Sequence, residues 1–200
     1  MFADKTIFLT NQLPFWMLNN SEFEGIYEEF KNLVYNLSLS YVHNQEDAQD
    51  ITQEVFVKIY QRYATYNPAA ASLKTWVYQI AINQNLDFIK ARKTKKRFGF
   101  ITSLFHAETN EPIEEVGHFD HPGVILEDKE ELQILFDIID TLPDNQRTAL
   151  ILSKIEDRPQ KEVAEIMNLS VKAVESLLQR AKQTISKKLE VAKDFKRSVV

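Results

Sequence analysis

No cysteine occurs anywhere in the 200 residues. That excludes disulfides and thiolate metal sites, and it suits a reducing compartment. Glycine and proline are scarce, at four and six residues. No apolar run approaches the roughly 20 residues that a membrane-spanning helix needs. The nearest candidate, IFLTNQLPFWML over 7–18, is interrupted by Asn11, Gln12 and Pro14, carries Asp4 in its flank and lacks a small-residue cleavage site. It reads as an amphipathic lead-in, residues 1–19, so a cytoplasmic chain without stable membrane insertion is expected. A glycine-rich phosphate loop is missing, and His43, His106, His118 and His121 form no ligand pattern. The expectation is therefore no enzyme, no catalytic residue, no metal and no cofactor.

The few glycines and prolines are unevenly placed. Gly99, Gly117, Gly123, Pro112 and Pro122 all fall within 98–127, together with Glu108, Glu111, Glu114, Glu115, Asp120 and Glu127 and no balancing lysine or arginine. Composition and weak periodicity mark 98–127 as a flexible acidic linker. It separates a part at 20–97 from one at 128–190, with a basic tail at 191–200. Each part has about a hundred residues or fewer, which makes for a modest core and demands strongly amphipathic elements.

Those elements read as helices, and strand-like alternation is absent, so an all-α protein of two small helical domains is expected. SEFE (21–24) has the form of a capping box. Phe23, Ile26, Tyr27, Phe30, Val34, Leu37 and Tyr41 follow at spacings of three and four. A second helix, 45–63, puts Ala48, Ile51, Val55, Phe56, Ile59 and Tyr63 on one side, with Glu46, Asp47 and Asp50 at the positive end of its dipole. Pro68 breaks the pattern. A third helix, 72–96, carries Trp76, Val77, Ile80, Ala81 and Ile89 at core spacing and spans about 36 Å. It ends in six basic residues within eight positions, Lys90 to Arg97, although the whole chain has net charge −5.

Further on, Leu132, Leu135, Phe136, Ile139 and Leu142 mark a helix that stops at Pro143, and another spans 144–155. Pro159 suits the first turn of the next. Ala164, Asn168, Val174 and Leu177 then fall at offsets 0, 4, 10 and 13. This is what a helix-turn-helix needs: a small residue where two helices touch, a residue that tolerates a left-handed backbone, and apolar docking positions. Ordinary helical hairpins also produce the pattern, so on residues alone both readings stand.

Two separated motifs then agree. EDAQDITQEVFVKIYQRY with KTWVYQIAINQNLDFIKARKTKKR resembles the second conserved region of bacterial RNA polymerase sigma factors. LPDNQRTALILSKIED with KEVAEIMNLSVKAVESLLQRAK resembles their fourth. With only these two regions and a short linker, the chain is similar to the extracytoplasmic-function (ECF) group over roughly 20–190. The resemblance implies that core RNA polymerase binds the acidic face of the second helix, through Asp47, Asp50, Gln53, Glu54 and Phe56. It further implies that the third helix and the loop before it hold the minus-ten element single-stranded, through Asn67, Lys74, Tyr78, Asn83, Lys90, Arg92 and Lys93. Unpaired bases stacked on such groups contribute about 1–3 kcal/mol each. If all six charges of the basic block met duplex phosphates, the logarithmic salt slope would be on the order of −5. Trp76 matches a family position, yet its spacing with Ile80 marks it as core. Asp87 is expected to pin a neighbouring basic side chain.

By the same resemblance, Val171, Lys172, Glu175, Ser176, Gln179 and Arg180 read the minus-thirty-five duplex from the major groove. Here the chain departs from the commoner G-T-V-K-S-R-L-x-R-A pattern. Glu175 replaces a basic residue and Leu177 an arginine, which puts the usual phosphate contacts in doubt and suggests other base preferences. Anti-sigma factors are common in the group, so one is a further expected partner, though no residue identifies it. The charge puzzle resolves by segregation, with basic residues at 90–97 and in the last thirty or so, and acidic ones in the first sixty and the linker. A stand-alone helix-turn-helix regulator is the alternative. It predicts a dimer on a palindromic duplex, and leaves the first motif unexplained.

Overall fold

A computed structural model describes the backbone of residues 20–105 and 126–199, and the side chains of 20–95 and 132–192. All regular elements among these residues are helical. The expected lead-in at 1–19, the body of the linker and the end of the basic tail lie outside what is described.

The first domain is three helices. α1 (Asn20–Val42) buries Ile26, Phe30, Val34, Leu37 and Tyr41 of the stripe expected from spacing, and Ser38 besides, whereas Phe23 is half-buried and Tyr27 is exposed. Ser21 lies inside α1 and not ahead of it, so it does not act as the cap that SEFE suggested. α2 (Gln45–Arg62) starts at Asn44, whose side-chain oxygen accepts from the Asp47 amide at 2.9 Å. That bond satisfies one of the amides a helix leaves open at its first turn. α2 buries Ala48, Ile51, Val55, Phe56 and Ile59 against α1 and α3. Ser72 begins α3, its Oγ accepting from the Thr75 amide at 3.1 Å. α3 (Leu73–Phe105) runs well beyond the expected end near 96. The linker assigned to 98–127 is thus narrower, since its first residues continue α3 and α4 already starts at Leu126. Composition misled there because helix propagation tolerates a single weak former such as Gly99 at a cost of only about 1 kcal/mol.

The second domain comprises α4 (Leu126–Asp140), α5 (Asp144–Leu150), α6 (Gln160–Met167) and α7 (Val171–Val199). α5 opens into a wide π-type turn over Ile151–Ile155, where the Glu156 amide reaches the Ile151 carbonyl at 2.9 Å. Its own apolar cluster is small, built on Ile139, Leu142 and Ala181 with Leu135, Phe136, Leu150 and Ile185 around them. Ile151, Leu152, Val163, Ala164, Ile166 and Val174 instead join the cluster that fills the first domain. The two domains therefore share one continuous core.

Candidate nucleic-acid interface

The turn between α6 and α7 has the geometry its sequence called for. Asn168 adopts φ 53° and ψ 47°, a left-handed conformation, and its amide closes on the Glu165 carbonyl. Asparagine takes this conformation with less strain than most residues carrying a Cβ. Ser170 then caps α7, its Oγ accepting from the Ala173 amide at 3.2 Å. Ala164 and Val174 are buried where the two helices meet. Val171, Lys172, Glu175, Gln179 and Arg180 are exposed along the first turns of α7, and Ser176 is half-buried. Leu177, where the commoner pattern offers an arginine, is half-buried too.

On α2, Asp50, Gln53 and Glu54 are exposed on one face at helical spacing. Val57, 49% exposed, and Tyr60, 37% exposed, border the same surface and were not foreseen as part of it. Val57 lies off the buried stripe of Ala48, Ile51, Val55 and Ile59, which is the signal that could have found it. Phe56, expected among the contacts, is only 4% exposed. Its ring meets Tyr27 and Phe23 edge-on at centroid distances of 4.8 and 6.4 Å. This departs from the expectation, because the spacing that puts Phe56 in the motif also puts it on the core side. Asp47 is engaged as well, 2.9 Å from Arg92. That ion pair joins two surfaces read as separate, and it is Asp47 that pins a basic residue of the block, whereas Asp87 is exposed.

Along α3 the expected contacts have different fates. The loop before it is ordered by its own bonds: Asn67 Oδ1 accepts from the Ala69 amide at 3.0 Å, and the Tyr66 hydroxyl donates to the Ala71 carbonyl at 3.1 Å. Trp76 packs beside Tyr66 and Tyr63 against the core, in keeping with its spacing. Asn83 and Lys93 are exposed. Lys74 lies 3.0 Å from Glu162, and Lys90 3.4 Å from Asp144, both partners coming from the second domain. Tyr78 is fully buried, so its ring offers no face to a base in this arrangement. Burial, then the nearby Glu156, push its hydroxyl up to about 12. Two buried polar groups escaped the sequence reading. Asn85 donates to Ser38 Oγ at 3.1 Å and to the Ala81 carbonyl at 2.9 Å, tying α3 to α1. Arg147, 3% exposed, donates to the Tyr41 carbonyl and pairs with Asp140 at 2.7 Å. Neither belongs to an apolar periodicity, so neither leaves a pattern in the sequence.

Comparison with known proteins takes up the same two units. Residues 26–95 match Sigma-70 region 2, and residues 132–185 match Sigma-70 region 4. The ECF RNA polymerase sigma factor SigM of Bacillus subtilis (strain 168) is 30% identical over 164 residues, covering 81% of this chain and 91% of its own length. The chain belongs to the ECF group of RNA polymerase sigma factors. The sigma-H factor of Pseudomonas aeruginosa is 29% identical, over 84% of this chain and 86% of its own. In fold, the chain is similar to the sigma factor RpoE of Bartonella quintana, solved with the anti-sigma factor NepR. The TM-score is 0.58 at 19% identity, covering 86% of this chain and 98% of that one. As a sigma factor, it is a transcription initiation factor that works with RNA polymerase in promoter recognition. Among the described residues, no helix is long and apolar enough to cross a membrane, and no cluster of metal-binding side chains is found.

Proposed function

We propose a division of labour among the surfaces of this ECF sigma factor. The exposed face of α2, with Asp50, Gln53 and Glu54 and the apolar Val57 among them, docks on core RNA polymerase. The loop at 66–72 and the outward face of α3 hold the minus-ten strand, with Asn67, Lys74, Asn83, Lys90, Arg92 and Lys93 as contacts and Tyr78 once it is uncovered. The first turns of α7 read the minus-thirty-five duplex through Val171, Lys172, Glu175, Ser176, Gln179 and Arg180. Phe56 supports the α2 face from beneath. The chain acts in the cytoplasm, performs no catalysis itself and leaves nucleotide chemistry to the polymerase. An anti-sigma factor is a further partner, in keeping with the complexes of its structural relatives.

The observation that carries this reading is the turn at Asn168. A left-handed residue followed by a capped, exposed and basic helix is the geometry by which a recognition helix enters the major groove. The test is transcription from a promoter library by the purified chain with and without core polymerase. Initiation that requires core and selects a shared pair of upstream elements is the expected result. Tight binding to a palindromic duplex by the chain alone, with no initiation, would favour the stand-alone regulator. Within that assay, Gln53→Ala with Glu54→Ala should weaken polymerase association. Lys90→Gln, Arg92→Gln and Lys93→Gln together should impair strand opening more than polymerase association.

A further inference from the structure

The first turns of α7 carry one charge of the wrong sign for a helix that meets phosphates. Glu175 is exposed, and its carboxylate makes no hydrogen bond or ion pair among the described residues. Lys172 is exposed one turn earlier and Gln179 one turn later on the same face. Arg180 and Lys182 are exposed just beyond, so the carboxylate stands among cations and is bound to none.

The ordinary reasons for a carboxylate on a helix fail here. The helix dipole favours acids within the first turn, but α7 has no acidic residue in that turn. Capping is done by Ser170, whose Oγ accepts from the Ala173 amide at 3.2 Å. A lysine or arginine four residues on would give a stabilising pair, yet position 179 is glutamine. The place of Glu175 is nevertheless closely fixed. Val174 and Ala181 are fully buried, and Ala164 of α6 is buried beside α7. The left-handed Asn168 sets the angle between the two helices. A duplex docked on Lys172 and Gln179 therefore meets Glu175 as well.

A carboxylate pressed against DNA is repelled by phosphates unless it finds a donor. The major groove offers few. Guanine presents N7 and O6, both acceptors, and thymine presents O4 and a methyl group. Adenine sets its N6 donor beside the N7 acceptor, so a carboxylate there gains one contact and suffers another. Cytosine presents its N4 amino group with no acceptor beside it on the same base.

We propose that Glu175 is a specificity-determining residue that selects a cytosine in the minus-thirty-five element, its carboxylate accepting from the N4 amino group. The proposal rests on the assignment of α7 to that duplex. The same negative charge disfavours every sequence that lacks the cytosine, so Glu175 discriminates by repulsion as well as by attraction.

The test selects promoters from a library randomised across the upstream element, using the full chain with core polymerase. Wild type is compared with Glu175→Gln, Glu175→Ala and Glu190→Gln. The last removes the same charge from an exposed site about four turns further along α7. Wild type should select cytosine at one position, where any other base lowers holoenzyme binding about tenfold or more. Glutamine pairs with adenine through N6 and N7, so Glu175→Gln should move the preference at that position alone from cytosine to adenine. Glu175→Ala should level the four bases there to within about threefold and leave the other positions as in wild type. Glu190→Gln should select as wild type does. The minus-ten element selected by each variant shows that it is folded and bound to polymerase. Identical selection by wild type and Glu175→Ala at every position would overturn the proposal. So would a change at a position where wild type prefers a base other than cytosine. A uniform gain over all sequences, matched by Glu190→Gln, would assign Glu175 to net charge and overturn it too. The assignment of α7 is judged separately, because a wild-type holoenzyme that selects a minus-ten element and no upstream one would overturn both.

Discussion

Two helices of this sigma factor carry polar, basic faces, and the fold treats them in opposite ways. On α7, Lys172, Glu175, Gln179 and Arg180 are exposed to solvent, and the helix is set off by a capped, left-handed turn. On α3, Tyr78 is buried, and Lys74 and Lys90 are engaged by carboxylates of the other domain. The surface we propose for duplex reading is thus presented, while part of the one we propose for holding the strand is covered. A basic stretch in a sequence reveals local charge, but whether that charge meets solvent depends on long-range docking.

The difference rests on the shared core, so the most severe way to break it is to attack that core from either side. Leu37 in α1 and Leu152 after α5 are each fully buried in one cluster. Leu37→Ala and Leu152→Ala should each cost about 2–5 kcal/mol. Chemical denaturation should show a single transition for the wild type and for both variants. Two separate transitions, each moved by one substitution alone, would mean that the domains fold independently and that α3 is not held covered.

The contacts of Arg147 come next in size. Arg147→Met keeps most of the buried volume and removes the bond to the Tyr41 carbonyl. That should cost about 1–3 kcal/mol in stability by denaturant unfolding. Because Asp140 is 43% exposed, losing its partner strands no buried charge and adds little to that figure. Tyr41 should also change. Its hydroxyl is now held well above the usual phenol range by burial. A looser seam should bring its spectroscopic titration down towards the ordinary value of 10.

The open and the covered helix can be compared directly through salt dependence. Arg180→Ala should flatten the logarithmic salt slope of duplex binding by the chain alone by about 1. Lys90→Ala should leave that slope unchanged, since Lys90 faces Asp144 while the domains are docked. Equal flattening by both would show α3 and α7 to be alike in access.

These outcomes bear on how much could be read without coordinates. The stripes of α1 and α2 were legible because three-and-four spacing fixes which side chains meet a core. Asn168 was legible because few residue types suit a left-handed turn. Asn168→Ala should accordingly cost about 1 kcal/mol, with Asn168→Gly near neutral, in thermal unfolding. Equal losses from the two would shift the role of Asn168 from its backbone to its side chain. The docking of the domains left no such trace. The Tyr41–Thr148 bond joins residues 107 positions apart. Tyr41 read simply as the last member of a stripe, and Arg147 as one more charge in a helical run. The concealment of Tyr78 left no trace for the same reason, since it depends on a domain that begins some fifty residues later.

The finest distinction concerns Glu156, which sits beside Tyr78 on the covered side. Burial pushes its carboxyl above the ordinary value of 4.5, and Arg158 opposes that shift without cancelling it. A raised value in the folded state means that folding favours the protonated acid. The associated stability is therefore fully present below the ordinary value and is lost as pH rises through the raised one. Above the raised value the half-buried carboxylate is charged and weakens the docked state. Glu156→Gln should then be slightly more stable than the wild type near pH 7. It should also lack the part of the pH dependence that this residue contributes as pH rises above the ordinary value of 4.5. Denaturant unfolding below that value and near neutrality checks the sign. If the variant were less stable near pH 7, Glu156 would be serving Arg158 as a partner, and the covered face of α3 would be held by charge where we infer that it is burdened by it.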